Sequence, residues 1–372
     1  MAKQSNQNRM IRVMVPSLPR TDDIKRYLNR IDEAARYTNF GPLVSEFEKG
    51  VGDMQSRLHG RQVEVAAVSN ATTALCLVLK SFDLPPKSKV LLPALTFIAT
   101  AASVIMAGHI PVVADIDPDS WNLTPESVVP ALQKVNAAAV VPVACFGVPQ
   151  DVAAWSAFSA ETDMKVVIDA AGCIGGQKTA PDIPVIFSTH ATKALSTGEG
   201  GVVVGESSEM ISRIKRLSNF GFGEETFEIG INAKISEYAA AIGVADLARF
   251  KQTAEKRRAL MAMYKTEFLD HSGLGVELQQ GPDVFAPTIL CIKTASSSHR
   301  DTIEASCQSA NVETRRWYLP LLQNFAIDQD IKLPATTPVA DDIEQCLVGL
   351  PFSLDMEHAD VMRVFEAIRS AG

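Results

Sequence analysis

The sequence has no Cys-x-x-Cys pair. Its six cysteines stand at positions 76, 145, 173, 291, 307 and 346 of 372 residues. That spacing offers neither a zinc site nor a disulfide framework, and it fits buried free thiols in a reducing compartment. No basic cluster offsets the formal net charge of −8, which argues against a bulk nucleic-acid binder. No apolar run approaches the ~20 residues that a membrane helix needs. The opening "MAKQSNQNRM" is polar and lacks the apolar stretch of a signal peptide. The expectation is a cytoplasmic protein with no membrane and no nucleic-acid partner. Repeats and low-complexity tracts are also missing. No Gly-x-Gly-x-x-Gly follows the first strand candidate, which counts against a nicotinamide dehydrogenase.

What is present is an ordinary globular composition, 47% hydrophobic and 21% charged. The length suggests two domains, or one large domain with a smaller appendage. Residues 1–10 read as a loose arm. Two helix candidates follow, "TDDIKRYLNRIDEAARY" and "VSEFEKGVGDMQSRL". An alternation then begins. "VEVAAVS", "KVLLP", "IPVVADI", "AAAVVPVACF" and "KVVIDAA" read as strands. "NATTALCLVLKSF", "FIATAASVIMAG", "TPESVVPALQKV" and "DVAAWSAFSAET" read as the helices between them. Such regular alternation predicts an α/β fold whose mostly parallel sheet is covered on both faces. After residue 245 the pattern changes to long amphipathic helices and short strands such as "TILCIKT". This predicts a large domain over 11–247 and a smaller C-terminal α/β domain over 248–372.

In an open parallel sheet, ligands bind beyond the carboxyl ends of the strands. Asp169 closes "KVVID", and Ser188 and His190 close "VIFSTH". Lys193 follows three residues on, in the glycine-rich stretch "STHATKALSTGEGG", between two segments that read as buried strands. Ser69, Asn70, Ala71 and Thr72 stand where a strand meets a helix, and free N–H groups at such a junction suit a phosphate. A phosphate site, a carboxylate and a lysine in one crevice are the three parts that pyridoxal phosphate needs. The phosphate is held, the aldehyde bonds to lysine as a Schiff base, and the carboxylate keeps the pyridine nitrogen protonated. Phe97 in "LTFIAT" offers an aromatic cover for the ring. Each residue also has a plainer reading: a turn for Lys193, a cap for Asp169, core for Phe97, a packed ring for His190. Arg315 and Tyr318 in "RRWY" could bind substrate or form a solvated face, and the glycines of "GEGG" read as a tight turn.

The motifs "GPLVSEFE", "SNATTAL", "LPALTFIAT", "PVVADID", "VIDAAGCIGG", "FSTHATKALSTGEGGVVV" and "GINAKISEYAAAIGVADL" occur in that order. So do "VETRRWYLPLL" and "CLVGLPFSLDMEHADVMRVFEAI". In this series the chain resembles the DegT/DnrJ/EryC1/StrS family, pyridoxal-phosphate-dependent sugar aminotransferases of fold type I, the aspartate-aminotransferase-like fold. The resemblance runs from about residue 11 to the C-terminus. It implies that Lys193 carries the cofactor and moves the proton between substrate and cofactor carbons. Asp169 would hold the pyridinium, and Phe97 would stack on the ring. The Ala71 and Thr72 backbone N–H groups and the Ser188 hydroxyl would hold the phosphate. Asn232 would reach that phosphate from the neighbouring subunit of a homodimer, so that active sites are shared. The implied reaction moves an amino group from an amino-acid donor, glutamate in first place, to a keto group on a nucleotide-linked deoxyhexose.

The chain departs from the family pattern at four places. Ser69-Asn70-Ala71-Thr72 stands where Ser-Gly-Thr is usual, and the asparagine-alanine pair can still cap the helix. Gly172 replaces a glutamine or histidine that would contact the cofactor's phenolic oxygen. Phe220 and Leu322 replace histidines in regions that, by resemblance, face the substrate, so the substrate stays open. The alternatives are a keto-cyclitol or aminobenzoate-type enzyme on the same scaffold, or a non-catalytic cofactor-binding protein. Sugar dehydratases of the family carry histidine in place of the lysine, and Lys193 argues against that branch.

Overall fold

The computed structural model describes residues 9–223, 227–282, 287–325 and 333–371. Residues 1–8 of the expected arm lie outside the described residues. Arg9 does not behave as part of a loose arm, because its guanidinium pairs with Asp360 at 2.6 Å.

Two helices open the chain, α1 (Thr21–Ala34) and α2 (Pro42–His59). The large sheet then follows: β1 (Glu64–Val68), β2 (Lys89–Pro93), β3 (Ile110–Ala114), β4 (Ala139–Val140), β5 (Lys165–Val166), β6 (Ile168–Asp169), β7 (Val185–Ser188) and β8 (Gly201–Gly205). Hydrogen bonding gives two ladders, β1-β8-β7-β6 and β3-β2-β4-β5. They are sewn into one sheet where β5 runs into β6. There the Val167 N–H donates to Val140 O at 3.2 Å and the Asp169 N–H to Pro142 O at 2.9 Å. Every pairing is parallel except those of β8, which runs antiparallel to β1 and β7. The near-continuous apolar runs "VLLP", "PVVA", "VIF" and "VVV" are buried, as expected for strands covered on both faces. The covering helices include α3 (Ala71–Ser81), α4 (Ala99–Met106), α5 (Val129–Leu132), α6 (Val152–Thr162) and α7 (Ser208–Ser218).

Proline explains two departures from the expected elements. The helix expected over 124–135 is reduced to α5. Thr124 and Ser127 exchange side-chain-to-backbone bonds of 2.9 and 3.2 Å, and Pro130 sits in the first turn of the helix. A residue without an N–H and with fixed φ starts a helix well and continues one badly. The strand expected over 137–146 is regular only at Ala139–Val140, since Pro142 cannot donate to the ladder.

Helix α8 (Glu237–Asp270) runs 34 residues and passes unbroken through the expected boundary at 247/248. Its second half packs in the small domain with β9 (Val276–Leu278), β10 (Leu290–Thr294), α9 (Ser297–Ser309), α10 (Pro338–Cys346), β11 (Leu347–Leu350) and α11 (His358–Arg369). The small sheet is antiparallel in the order β11-β10-β9. Ile11 is buried with Tyr264, Phe352 and Phe365 in this core, and Phe352 N–H donates to Val13 O at 3.1 Å. Residues 11–13 therefore belong with the small domain rather than the large one. All six thiols are free and buried. Among the described residues, no helix is long and apolar enough to cross a membrane.

Candidate active site

β6 and β7 end side by side on the sheet's carboxyl edge and deliver Asp169 and Ser188. Asp169 is buried. Its Oδ2 accepts a hydrogen bond from Thr100 Oγ1 at 2.9 Å, and its Oδ1 accepts from the Ala171 N–H at 3.1 Å. Thr100 Oγ1 also lies 2.8 Å from Thr96 Oγ1, so a buried hydroxyl pair stands behind the carboxylate. Burial pushes the Asp169 carboxyl above the usual range, opposed by the Thr100 hydroxyl, the Ala171 N–H and the charge of Lys193. Burial lowers the Lys193 ammonium below an ordinary lysine, and the Asp169 charge opposes that shift. Asp169 is buried and Lys193 half-buried, and the two feel each other's field. A lysine with lowered proton affinity offers more of the neutral amine that attacks a carbonyl.

The loop around Lys193 is a closed turn. Ala191 N–H donates to Gly198 O, Thr197 N–H to Thr189 O and Thr189 N–H to Gly200 O, at 2.8, 2.8 and 2.9 Å. Lys193 N–H closes onto His190 O at 2.9 Å. Gly200 is obligatory here, since a Cβ would stand 2.2 Å from Thr197 Oγ1 and 2.4 Å from Thr189 Oγ1. The threonines and glycines of this stretch therefore build a rigid stem, and the lysine projects from its tip.

An anion cradle adjoins the carboxylate. Asn70 caps α3 by accepting from the Thr73 N–H at 2.8 Å. The N–H groups of Ala71 and Thr72 find no acceptor among the described residues. Gly201 packs against this turn so closely that a Cβ would lie 2.6 Å from Ala71 N. Ser188 is the β-partner of Gly201, and its Oγ accepts from the His190 N–H at 3.2 Å. Two free N–H groups at a helix start and a nearby hydroxyl fit a phosphate. Together with Lys193 and the buried Asp169, they fit pyridoxal phosphate.

The Phe97 ring stands 58% exposed at the start of α4, one turn before Thr100. It lies 6.1 Å from the ring of Tyr318, which stacks on Phe146 at 4.8 Å. Burial raises the Tyr318 phenol, with Cys145 and Asp169 adding to the shift. Tyr318 therefore faces this site, whereas Arg315 lies over the Trp317 ring at 4.4 Å. His190 is engaged at its edge, with Nδ1 2.9 Å from Thr192 Oγ1 and Nε2 3.6 Å from Glu199. Asn232 precedes Ala233, whose carbonyl accepts the Ser69 N–H at 2.7 Å. Asn232 is exposed, and its Oδ1 accepts from Lys234 Nζ at 2.9 Å.

The departures sort differently. A Cβ at Gly172 would meet only the Gly147 backbone, at 3.7 Å or more, so a side chain has room there. Phe220 is exposed at φ +61°, with Lys234 Nζ 4.8 Å from its ring centre. Leu322 was expected in a substrate-facing region, but it is fully buried core, with its N–H on Ala94 O. Thr100, which donates to the Asp169 carboxylate, is the contact of this site that sequence reading missed. It is one of two threonines, with Thr96, inside "LTFIATA", which reads as an apolar helix start.

Known proteins share this architecture. Residues 20–369 match the DegT/DnrJ/EryC1/StrS aminotransferase family. Protein Rv3402c of Mycobacterium tuberculosis is 29% identical, over 96% of this chain and 89% of its own. The dTDP-4-amino-4,6-dideoxy-D-glucose transaminase of Shigella dysenteriae is 27% identical, over 96% and 98% of the two chains. The crystal structure of DesI in the presence of its TDP-sugar product superposes with a TM-score of 0.85 at 27% identity, covering 97% of this chain and 92% of that one. A lysine and a buried carboxylate beside an anion cradle, on a fold type I scaffold matched from end to end, place this chain in the DegT/DnrJ/EryC1/StrS family as a pyridoxal-phosphate-dependent aminotransferase.

Proposed function

We propose that this aminotransferase moves an amino group from an amino-acid donor, glutamate in first place, to the keto group of a nucleotide-linked deoxyhexose. The observation that carries the chemistry is the half-buried Lys193 in the field of the buried Asp169, beside the open start of α3. The sugar assignment is supported by the printed activity of the Shigella relative and by the TDP-sugar product of DesI.

Pyridoxal phosphate supplies the electron sink and carries the amino group between the two half-reactions. The protein's share is positional and electrostatic. The Ala71 and Thr72 N–H groups and the Ser188 hydroxyl hold the phosphate. Asp169 holds the proton of the ring nitrogen, and Thr100 and the Ala171 N–H keep its carboxylate oriented. Phe97 covers a ring face. Lys193 would bind the cofactor and, when its amine is free, would carry the proton at the reacting carbon.

The active unit is a homodimer with shared sites, Asn232 reaching the partner's phosphate. Supporting this, Phe222, Phe227, Ile229 and Tyr238 are exposed close in sequence to Asn232, with Phe227 80% and Ile229 93% accessible in the single chain. Such apolar exposure marks a surface covered in an assembly.

The assignment is tested by loading the protein with pyridoxamine phosphate and presenting a panel of nucleotide-linked keto sugars, keto-cyclitols and simple keto acids. An amino sugar from a nucleotide-linked substrate is expected. Turnover of a keto-cyclitol alone would move the enzyme to the other branch.

A further inference from the structure

The geometry points to Asp246 as the positioning residue that holds the Lys193 loop in register with the cofactor site. This rests on the reading of Lys193 as the cofactor-bearing residue. Asp246 lies on α8, is 2% exposed, and accepts the Ser196 N–H through Oδ2 at 2.8 Å. Ser196 is three residues beyond Lys193 and fully buried. One turn earlier on the same helix face, Gly243 lets the Thr197 methyl approach, since a Cβ there would lie 2.7 Å from Thr197 Cγ2. Two adjacent residues of the loop are therefore docked on α8, at positions three apart.

Asp246 is itself fixed. Its Oδ1 accepts from Arg249 Nε at 2.6 Å, and Arg249 Nη2 donates to Ser17 Oγ at 2.8 Å. Arg257 is buried close by, its proton affinity lowered to about 10 by burial and partly restored by Asp246. The charge acting on Lys193 is that of Asp169, not Asp246. Asp246 therefore reaches the lysine through the backbone it holds rather than through its field. A buried carboxylate is costly to desolvate, so an anchor made this way has to be held by good geometry. Since α8 continues into the small domain, the same anchor ties the lysine loop to the helix on which that domain is built.

The test separates binding from attachment. Pyridoxamine phosphate has the ring and phosphate but no aldehyde, so its affinity reads the cradle and the ring contacts without the bond to Lys193. Pyridoxal phosphate added to apoprotein bonds through its aldehyde carbon to Lys193 Nζ with loss of water. Borohydride then reduces that C=N bond to a stable amine that peptide mass mapping locates. In Asp246→Glu the charge and both acceptor oxygens remain but move outward by one methylene. Attachment should slow at least tenfold, with pyridoxamine phosphate affinity within twofold of wild type. In Asp246→Asn one oxygen remains for two donors, the Ser196 N–H and Arg249 Nε, so the attachment rate should fall between wild type and Asp246→Glu. Wild-type speed in Asp246→Glu, an equal loss of pyridoxamine phosphate affinity, or an Asn variant as slow as Glu would each overturn the inference. If wild-type protein attaches pyridoxal phosphate at Lys193, those outcomes count against Asp246 alone. If it does not, the functional reading falls, and this inference falls with it.

Discussion

Lys193 and Asp169 each lose hydration, and each recovers part of the cost from the other. Asp169→Asn removes both sides of that exchange. An amide cannot hold a ring-nitrogen proton as a carboxylate does, and a charge-assisted hydrogen bond is worth roughly 1.5–3 kcal/mol. At ~1.4 kcal/mol per decade, transamination should fall at least tenfold. The charge of Asp169 raises the proton affinity of Lys193, so its removal lowers that affinity further. The pH midpoint for attaching added pyridoxal phosphate to Lys193 should therefore move down in the variant, and an upward shift would contradict the pairing. Asp169 and Ser188 were legible in the sequence as candidates because they are polar residues ending apolar runs, and Lys193 because it stands in a glycine-rich turn between two such runs. Thr100 was not, because one hydroxyl in an apolar segment looks the same whether it packs or donates. Tyr318 and Leu322 were illegible for a similar reason, since only tertiary packing turns one toward the site and the other into the core.

At the scale of elements, the cradle is a contact between two of them, the start of α3 and the start of β8. Gly201→Ala would place a methyl 2.6 Å from Ala71 N and 2.6 Å from Asn70 C, both backbone atoms with little freedom to yield. Overpacking of this kind costs about 1–3 kcal/mol. The variant should show a lower Tm and at least tenfold weaker pyridoxamine phosphate binding, because the strain falls on the N–H groups that hold the phosphate. Unchanged affinity would mean that the phosphate is held elsewhere. The β-α alternation of the large domain was visible because each strand is a short apolar run. The reversed direction of β8 was not, since periodicity carries no information about which neighbour a strand pairs with. Pro130 and Pro142 shortened elements that hydrophobic pattern alone extends.

The whole molecule is organised by α8, which passes from one domain to the other. At its start Glu237 accepts the N–H groups of Leu43 and Val44, both at 2.9 Å, and so caps α2. The change of pattern after residue 245 marked a new domain but not a helix common to both. If each site is shared between two chains, Lys193→Ala and Asn232→Ala proteins should complement each other. In a mixed dimer one site carries both defects and the other neither. Random exchange makes about half the dimers mixed, so roughly a quarter of sites should recover. Activity that stays at the level of the two mutants after verified exchange would show that one chain builds each site. The central claim is that Lys193 carries the proton during amino transfer to a nucleotide-linked sugar and takes up the cofactor's aldehyde once the amino group has left. It is tested most directly in a single turnover of pyridoxamine-phosphate-loaded enzyme with a dTDP-linked 4-keto-6-deoxyhexose, quenched with borohydride. The account predicts one amino sugar per site and one cofactor trapped on the peptide containing Lys193, with no product from Lys193→Ala. An amino sugar formed equally well without Lys193, or cofactor trapped on another lysine, would contradict it.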